Sequence, residues 1–300
     1  MRKEYTLRFN GKKYTLGQRT WIMGVINITP DSFSDGGLHF DKDKAVARGL
    51  QLREEGSDII DIGGESTRPG SEPINQEEEL RRVIPVISAL REKTDSLISI
   101  DTTKSEVARA ALDAGADIIN DISSSSFDPK TFSVAAERGA PVILMHMKGI
   151  PRNMQVNPFY ENVLLEVKSF LKEKIEQAQA AGIKKEKIII DPGIGFGKRH
   201  KDNLVLIKNL HFFETLDQPI LIGISRKSFI GKILDSPPRQ RLEGTIASAV
   251  LSIVHGAHIL RVHDVASVKK AVLVAEAIIK EGQPTTTFEE SKEKKSSYAS

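Results

Sequence analysis

Short apolar runs alternate with amphipathic segments along most of the chain. The runs are rich in Ile and Val and lack regular polar alternation, which is typical of parallel strands covered on both faces. They predict eight strands, at residues 21–27, 58–62, 98–101, 118–121, 142–145, 188–191, 220–224 and 259–262. Because such strands are buried on both sides, we expect helices to cover them.

Apolar residues recur at helical spacing between these runs. Leu80, Val83, Ile87 and Leu90 form one stripe, and Asn75 precedes it at the spacing of a helix N-cap. The longest pattern runs from about residue 157 to residue 181, and the last lies near residues 268–279. A strand followed by a helix, repeated eight times, predicts an α/β fold of the closed TIM (β/α)₈ barrel type. An open doubly wound sheet is the alternative.

The two ends of the chain differ from this pattern. Asn10-Gly11, between two short apolar runs in residues 5–16, predicts an N-terminal β-hairpin. Residues 283–300 are polar and charged, which predicts a disordered tail. We therefore expect one domain over residues 1–282, followed by that tail.

Composition and charge narrow the possible functions. The formal net charge of +3 over 300 residues is too small to indicate nucleic acid or a membrane surface as a partner. The absence of cysteine excludes disulfides, thiol nucleophiles and thiolate metal sites. No run approaches the roughly 18 apolar residues of a membrane helix, and the N-terminus lacks the apolar core of a signal peptide. We expect a cytoplasmic protein.

Polar residues stand where most of the predicted strands end. In a barrel these ends meet at one mouth, where barrel enzymes place their active sites. The residues concerned are Asn27, Asp101, Asn120, Asp121, Met145, His146, Asp191, Ser225, Arg226, Lys227, Ser228, Arg261 and His263. Any single Asp or Asn after a strand could instead cap the following helix. Capping does not explain why Lys227, Arg261 and His263 should converge on the same mouth.

Two glycine-containing polar loops follow the first two barrel strands, at residues 28–37 and 63–70. Their length and composition are typical of mobile lids, although exposed turns have a similar composition. Neither loop fits a dinucleotide-binding or P-loop fingerprint.

Several of these segments together resemble the dihydropteroate synthase family. The matching segments are NITPDSFSDG at residues 27–36, GESTRPG at 64–70, SIDT at 99–102, ND at 120–121, MHM at 145–147, DPGIGFGK at 191–198, SRKS at 225–228 and RVHD at 261–264. They occur in the family's order over roughly residues 21–281. One departure is Ser123–Ser126, where many relatives carry glycine or a bulky residue.

The resemblance implies that 6-hydroxymethyl-7,8-dihydropterin diphosphate reacts with p-aminobenzoate to give 7,8-dihydropteroate and diphosphate. It implies that the C–O bond breaks first, so that no protein nucleophile is required. It also implies Mg²⁺ as cofactor and a homodimer formed through helices outside the barrel.

The resemblance further assigns roles to individual residues. The pterin is bound by Asp101, Asn120, Met145, Asp191 and Lys227. The p-aminobenzoate slot is formed by Phe33, Thr67, Pro69, Phe196 and Ser228. The diphosphate contacts Asn27, Thr67, Arg68, Arg261 and His263, and Asn27 also binds the metal. The residues expected to act in catalysis are Lys227, Arg261, His263, Asp35 and Arg68.

Three other functions remain open at this point. A methyltetrahydrofolate-dependent methyltransferase of the pterin-binding barrel group would share Asp101, Asn120 and Asp191 but would not use a set of cations for diphosphate. A non-catalytic pterin-binding barrel would bind the pterin and form no product. A phosphate-metabolising barrel without pterin specificity would not need carboxylates at several strand ends.

Overall fold

A computed structural model describes residues 2–29, 38–67 and 70–281. The chain begins with an antiparallel hairpin of β1 (Tyr5–Phe9) and β2 (Lys12–Leu16). Asn10 and Gly11 at its tip have φ values of 49° and 69°. Positive φ at both central residues is what a two-residue type I′ turn requires, and Asn-Gly supplies it at little steric cost. The predicted hairpin is confirmed.

The central sheet consists of parallel strands that alternate with helices. The strands are β3 (Trp21–Asn27), β4 (Ile59–Gly63), β5 (Leu97–Asp101), β6 (Ile118–Asp121), β7 (Val142–Met145), β8 (Ile188–Asp191), β9 (Leu221–Gly223) and β10 (Ile259–Val262). The helices are α1 (Leu38–Glu54), α2 (Gln76–Arg91), α3 (Ser105–Asp113), α4 (Lys130–Arg138), α5 (Val163–Ala180), α6 (His200–Lys208), α7 (Ser228–Leu234), α8 (Leu242–Val254) and α9 (Val265–Lys280).

The sheet closes on itself. Its strand order is β8-β7-β6-β5-β4-β3-β10-β9, and a parallel bridge between Ile190 and Ile220 joins the two edge strands. The backbone N–H of Ile190 donates to the carbonyl oxygen of Pro219 at 3.0 Å across the same seam. The predicted TIM barrel is therefore confirmed, and the open sheet is excluded.

Two apolar layers lie on opposite sides of the barrel wall. The outer layer packs the strands against the surrounding helices and contains residues such as Ile60, Ile62, Ile98 and Ile190. The inner layer fills the end of the barrel where the strands begin, and the hairpin residues Leu7, Phe9 and Leu16 pack into it. Since this end is filled, the space available to a ligand lies at the carboxyl ends of the strands.

The structure corrects one predicted boundary by several residues. α5 begins at Val163 rather than near residue 157, because the side chain of Asn162 caps it by accepting from the backbone N–H groups of Leu164 and Leu165 at 3.1 and 3.2 Å. The predicted strand at 220–224 is shorter, at Leu221–Gly223. The predicted N-cap Asn75 is confirmed, since it accepts from Glu78 N at 2.8 Å. No helix in the described ranges has the length and apolar character needed to cross a membrane. The predicted boundary at residue 282 and the tail after it lie outside these ranges.

Candidate active site

The residues predicted to bind the pterin come together on neighbouring strands. Asp101 ends β5 and pairs in register with Asn120 of β6, while Met145 ends β7 and pairs with Asp191 of β8. All of them are buried. Alternate residues of a strand point to the same face, and these positions follow inner-layer residues at that spacing. Their side chains therefore line the barrel interior, just above the apolar layer.

Arg261 of β10 crosses this interior and pairs with two carboxylates. Its Nε lies 2.7 Å from Asp61 Oδ2, and its Nη2 lies 2.6 Å from Asp101 Oδ2. Asp61 is in the middle of β4 and is wholly buried. The guanidinium group therefore balances negative charge directly beneath the predicted pterin site.

The two strand-end carboxyl groups have unusual acidity. Burial raises the pKa of Asp191 to about 6, although its bond from Gly193 N at 2.7 Å and the charges of Lys227, Lys198 and Arg261 oppose the change. Burial also raises the pKa of Asp101 to about 7, against the lowering effect of Arg261. In their ionised form such groups accept hydrogen bonds strongly, because few water molecules compete for them.

Lys227 precedes α7 and reaches towards the same interior. Its Nζ lies 4.1 Å from the centroid of the Phe196 ring. Burial lowers the pKa of Lys227 to about 8, and the positive charge of Arg261 acts in the same direction, against Asp191 and Asp101. Phe196 packs in turn against Met145, which pairs in register with Asp191, so Lys227 and Asp191 open onto one common site.

His263 follows β10 and is held by a serine. Its Nδ1 and its backbone N–H lie 3.1 and 3.2 Å from Ser225 Oγ. Burial lowers the pKa of His263 to about 3, and the nearby charges of Arg261 and Arg226 lower it further. The imidazole is therefore neutral at pH 7, and it can offer one N–H to a ligand.

Comparison with known proteins assigns this site to a family. A family model described as pterin binding enzyme matches residues 23–263. A dihydropteroate synthase from Synechocystis sp. is 48% identical over 263 residues, covering 87% of this chain and 91% of the relative. The chain belongs to the dihydropteroate synthase family.

Solved structures of family members share the fold. Dihydropteroate synthase from Xanthomonas albilineans with 4-aminobenzoic acid matches with a TM-score of 0.87 and 46% identity, over 93% of this chain and all of that one (100%). Dihydropteroate synthase from Yersinia pestis with a sulfonamide drug complex matches with a TM-score of 0.86 and 43% identity, over 91% of this chain and 98% of that one.

Two charged residues in the site were not singled out from the sequence. Asp61 interrupts the apolar run of β4, and that interruption was the available signal. Lys198 is buried after the glycine loop that follows β8, and its Nζ lies 2.9 Å from His146 Nδ1. It also donates to the carbonyl oxygens of His146 and Phe196 at 3.2 and 3.1 Å. Burial lowers the pKa of Lys198 to about 7 and that of His146 to about 2.

Asp121 accepts hydrogen bonds within its own turn and does not cap the following helix, which begins at Lys130. It accepts from Ser123 N at 2.8 Å, Ser123 Oγ at 2.7 Å and Ser125 N at 2.7 Å. Ser124 and Ser125 have φ values of 50° and 61°, a region that favours glycine. Ser124 Oγ also donates to the carbonyl oxygen of Met145 at 2.9 Å. The serine run thus supports the backbone of a predicted pterin-binding residue.

The predicted p-aminobenzoate residues are only partly described. Phe196 is buried in a small apolar cluster with Ile122, Met145 and Met154, and Ser228 is exposed at the start of α7. Thr67 is half-buried and lines, together with Asp101, a cavity of about 330 Å³. The other predicted residues of the two loops, Phe33, Asp35, Arg68 and Pro69, lie outside the described residues.

The base of the loop after β4 is anchored to the helices. Lys104 forms ion pairs with Glu65 of the loop and with Glu79, a buried residue of α2. Arg82 donates to the carbonyl oxygen of Gly64 at 2.9 Å, and Gly70 N donates to the carbonyl oxygen of Pro151 at 3.1 Å. These contacts hold the described part of the loop, including Thr67, beside the barrel mouth.

Asn27 offers an amide oxygen, a type of ligand that suits Mg²⁺, at the barrel mouth. Asn27 is half-buried at the end of β3 and pairs in register with Gly63. Gly63 has no side chain, and a Cβ atom added to it would lie 3.8 Å from Asn27 Oδ1 and 3.5 Å from Asp101 Cβ. Among the described residues, no group of three or more His, Cys, Asp or Glu side chains could hold a metal ion. Mg²⁺ commonly takes one or two protein oxygens and completes its shell with phosphate and water. A single amide oxygen fits a cation that is bound together with a diphosphate.

Proposed function

We propose that this chain is a transferase that joins 6-hydroxymethyl-7,8-dihydropterin diphosphate to p-aminobenzoate, giving 7,8-dihydropteroate and diphosphate in folate biosynthesis. The observation that carries the proposal is the layer formed by Asp101, Asn120 and Asp191 beside the cations Lys227 and Arg261 in one barrel mouth. Membership of the dihydropteroate synthase family supports the same reaction.

The pterin is recognised by its polar edge. The pyrimidine edge presents adjacent N–H donors, which a buried carboxylate can accept in parallel. Asp191 takes this role, Asp101 and Asn120 complete the hydrogen-bond pattern, and Lys227 donates to the carbonyl side. Met145 packs against the ring and contributes apolar contact area.

The leaving group carries the growing negative charge of the reaction. The C–O bond to the diphosphate breaks with its electron pair, and a cation delocalised into the pterin ring remains. Arg261, His263 and the lid residue Arg68 stabilise the departing oxygen atoms, because donors aimed at developing charge lower the barrier. Asn27 would hold Mg²⁺ together with oxygen atoms of the diphosphate, and the cation would neutralise part of that charge. Asp35 and Arg68 close the site.

The amine of p-aminobenzoate then attacks the cationic carbon. A C–N bond forms from the nitrogen lone pair, and the nitrogen passes a proton to the released diphosphate or to water to complete the secondary amine. The chain has only to position this weak nucleophile. Phe33, Thr67, Pro69 and Phe196 form its slot, and Ser228 holds its carboxylate. Sulfonamides resemble p-aminobenzoate in shape, so we expect them to compete for this slot.

The decisive experiment is a coupling assay with both substrates and Mg²⁺, scored by dihydropteroate formation. We expect product with both substrates present and none when p-aminobenzoate is omitted. A methyltransferase would form no dihydropteroate and would transfer a methyl group from methyltetrahydrofolate. A non-catalytic barrel would bind pterin in calorimetry without turnover, and a phosphate-metabolising barrel would not bind the bare pterin. Any of these results would overturn the proposal.

We also propose that the chain forms a homodimer through the outer faces of α6, α7 and α8. Leu204, Ile233, Leu234 and Leu251 are exposed there, and a groove of about 550 Å³ runs between these helices. Contiguous exposed apolar surface of this kind marks association sites. Light scattering should report a dimer that Leu251→Glu dissociates. Leu165→Glu, on α5 and equally exposed, should leave it intact. A wild-type monomer would contradict the dimer.

The cytoplasm is the proposed location of the chain. Its lack of cysteine means that a reducing compartment removes no stabilising bond. Fractionation of cells that express the chain tests this, and recovery outside the cytoplasmic fraction would contradict it.

A further inference from the structure

Asp61 is a buried acid that no predicted role accounts for. It lies in the middle of β4, between Ile60 and Ile62, which pack in the outer apolar layer. Since side chains alternate along a strand, Asp61 points into the barrel. Its exposure is 0%, so a ligand at the mouth does not reach it directly. An isolated carboxylate at such a position is costly, and partners must therefore hold it.

The partners of Asp61 are two residues assigned to ligand binding. Arg261 donates from Nε at 2.7 Å, and its Nη2 lies 2.6 Å from the same carboxylate. Asn120 Nδ2 lies 3.4 and 3.3 Å from the two oxygens of Asp61. The carboxylate thus contacts one residue that faces the pterin and one that faces the leaving group.

These contacts determine how Arg261 presents its donors. Asp61 takes the Nε–Nη2 edge of the guanidinium group, and Asp101 binds Nη2 from a second direction. Two carboxylates that hold one edge of a planar guanidinium group fix the orientation of its plane, and they thereby fix the direction of its remaining N–H donors. Among the described residues, no hydrogen bond is made by Nη1, which leaves that donor for a ligand.

We propose that Asp61 is a positioning residue, which orients the guanidinium group of Arg261 and the amide of Asn120 from beneath the pterin site. The inference rests on the proposed function, because it assigns Asp61 to the same reaction. Protein groups that must be aligned with a ligand to within a fraction of an ångström depend on such supporting contacts.

The test compares Asp61→Asn with Asp117→Asn. Asp117 is a matched carboxylate at the opposite end of the barrel, where it pairs with Arg91 at 2.7 Å and accepts from Ile98 N at 2.9 Å. For Asp61→Asn we expect kcat/KM for the pterin diphosphate to fall by about 100-fold, because a small misplacement of the reacting groups lowers the rate by about this factor. KM for p-aminobenzoate should change by less than about twofold, since that slot does not contact Asp61. Asp117→Asn should leave all kinetic constants within about twofold.

A double-substitution cycle separates positioning from general loosening of the fold. Because Asp61 acts through Arg261 as well as Asn120, adding Asp61→Asn to Arg261→Ala should lower kcat/KM by less than about tenfold further, which is the part carried by Asn120, since coupled residues are not additive. Independent losses that multiply, or equal rises in KM for both substrates, would overturn the inference. An Asp61→Asn enzyme with wild-type constants would overturn it too. An inactive wild-type chain would instead refute the proposed function.

Discussion

Replacing Asp191 by Asn is expected to stabilise the fold while weakening pterin binding. Burial raises the pKa of this carboxyl group from 3.8 to about 6. A carboxyl group with a raised pKa in the folded state contributes stability that is complete below its unfolded pKa and is lost as the pH rises through the folded pKa. Asn has a similar shape and never ionises, so the variant keeps that contribution at every pH.

The size of the effect follows from the two pKa values. At about 1.4 kcal/mol per pKa unit, the variant should be more stable than the wild type by about 3 kcal/mol above pH 8. At pH 5 the folded wild type still carries the proton in most molecules, and the expected advantage falls to about 1.6 kcal/mol. Urea unfolding of both proteins at pH 5 and pH 8.5 measures this difference.

Pterin binding should respond in the opposite direction. Hydrogen bonds to a charged group contribute about 1.5–3 kcal/mol each, and Asn turns an N–H group towards one of the pterin donors. We therefore expect Kd for 6-hydroxymethylpterin to rise by about 100-fold or more in calorimetry. A loss of affinity together with a gain in stability cannot arise from misfolding.

Asp117→Asn provides the contrasting control. This carboxylate pairs with Arg91 and caps the N–H of Ile98 at the filled end of the barrel. Its replacement should lower stability by about 1–3 kcal/mol and leave pterin affinity unchanged. If the Asp191→Asn variant were less stable than the wild type at pH 8.5, burial of the ionised Asp191 would not destabilise the fold. If the variant bound pterin as well as the wild type, Asp191 would not accept hydrogen bonds from the pterin.

Four other perturbations give distinct outcomes. Gly193→Ala should destabilise the chain more than Gly11→Ala and should also reduce pterin affinity. The backbone strain is the same at both positions, because φ is 70° at Gly193 and 69° at Gly11. A Cβ atom at Gly193 would lie 1.9 Å from the carbonyl oxygen of His146, whereas a Cβ atom at Gly11 would have none of the described atoms within 4 Å. Equal losses of stability on thermal unfolding would show that this contact is unimportant. Arg261→Ala should weaken binding of the pterin diphosphate more than binding of the bare pterin, and equal losses in calorimetry would remove Arg261 from the diphosphate site. Chelation of divalent metal should weaken binding of the diphosphate ester and leave bare pterin affinity unchanged, and an equal effect on both would argue against Mg²⁺ at Asn27. Pterin affinity should fall as the pH drops below 7, because Asp101 and Asp191, with pKa values of about 7 and 6, take up protons; a flat calorimetric profile from pH 5 to 8 would contradict this.

The secondary structure could largely be predicted from local pattern. Strands buried on both faces need continuous apolar runs, and a two-residue hairpin needs residues that accept positive φ, so each signal is contained in a few neighbouring positions. The start of α5 did not follow from the apolar pattern, because the cap at Asn162 and contacts with a distant loop decide it together. Gln155 donates to the carbonyl oxygen of Gly195 at 2.6 Å, and Tyr160 donates to that of Gly197 at 2.7 Å. These bonds hold the residues before Val163 against the loop after β8.

The sequence alone determined which side chains stand at the barrel mouth, because parallel strands of one barrel must end on the same side. Only the tertiary structure decided what each side chain faces. Asn120 points into the barrel, whereas its neighbour Asp121 serves its own turn. Asp61 meets Arg261, which lies 200 positions away in the chain, because β4 and β10 both pair with β3 and the curvature of the barrel turns the two side chains into one narrow interior. Local patterns carry no information about such a contact, since it depends on the register and curvature of the whole sheet.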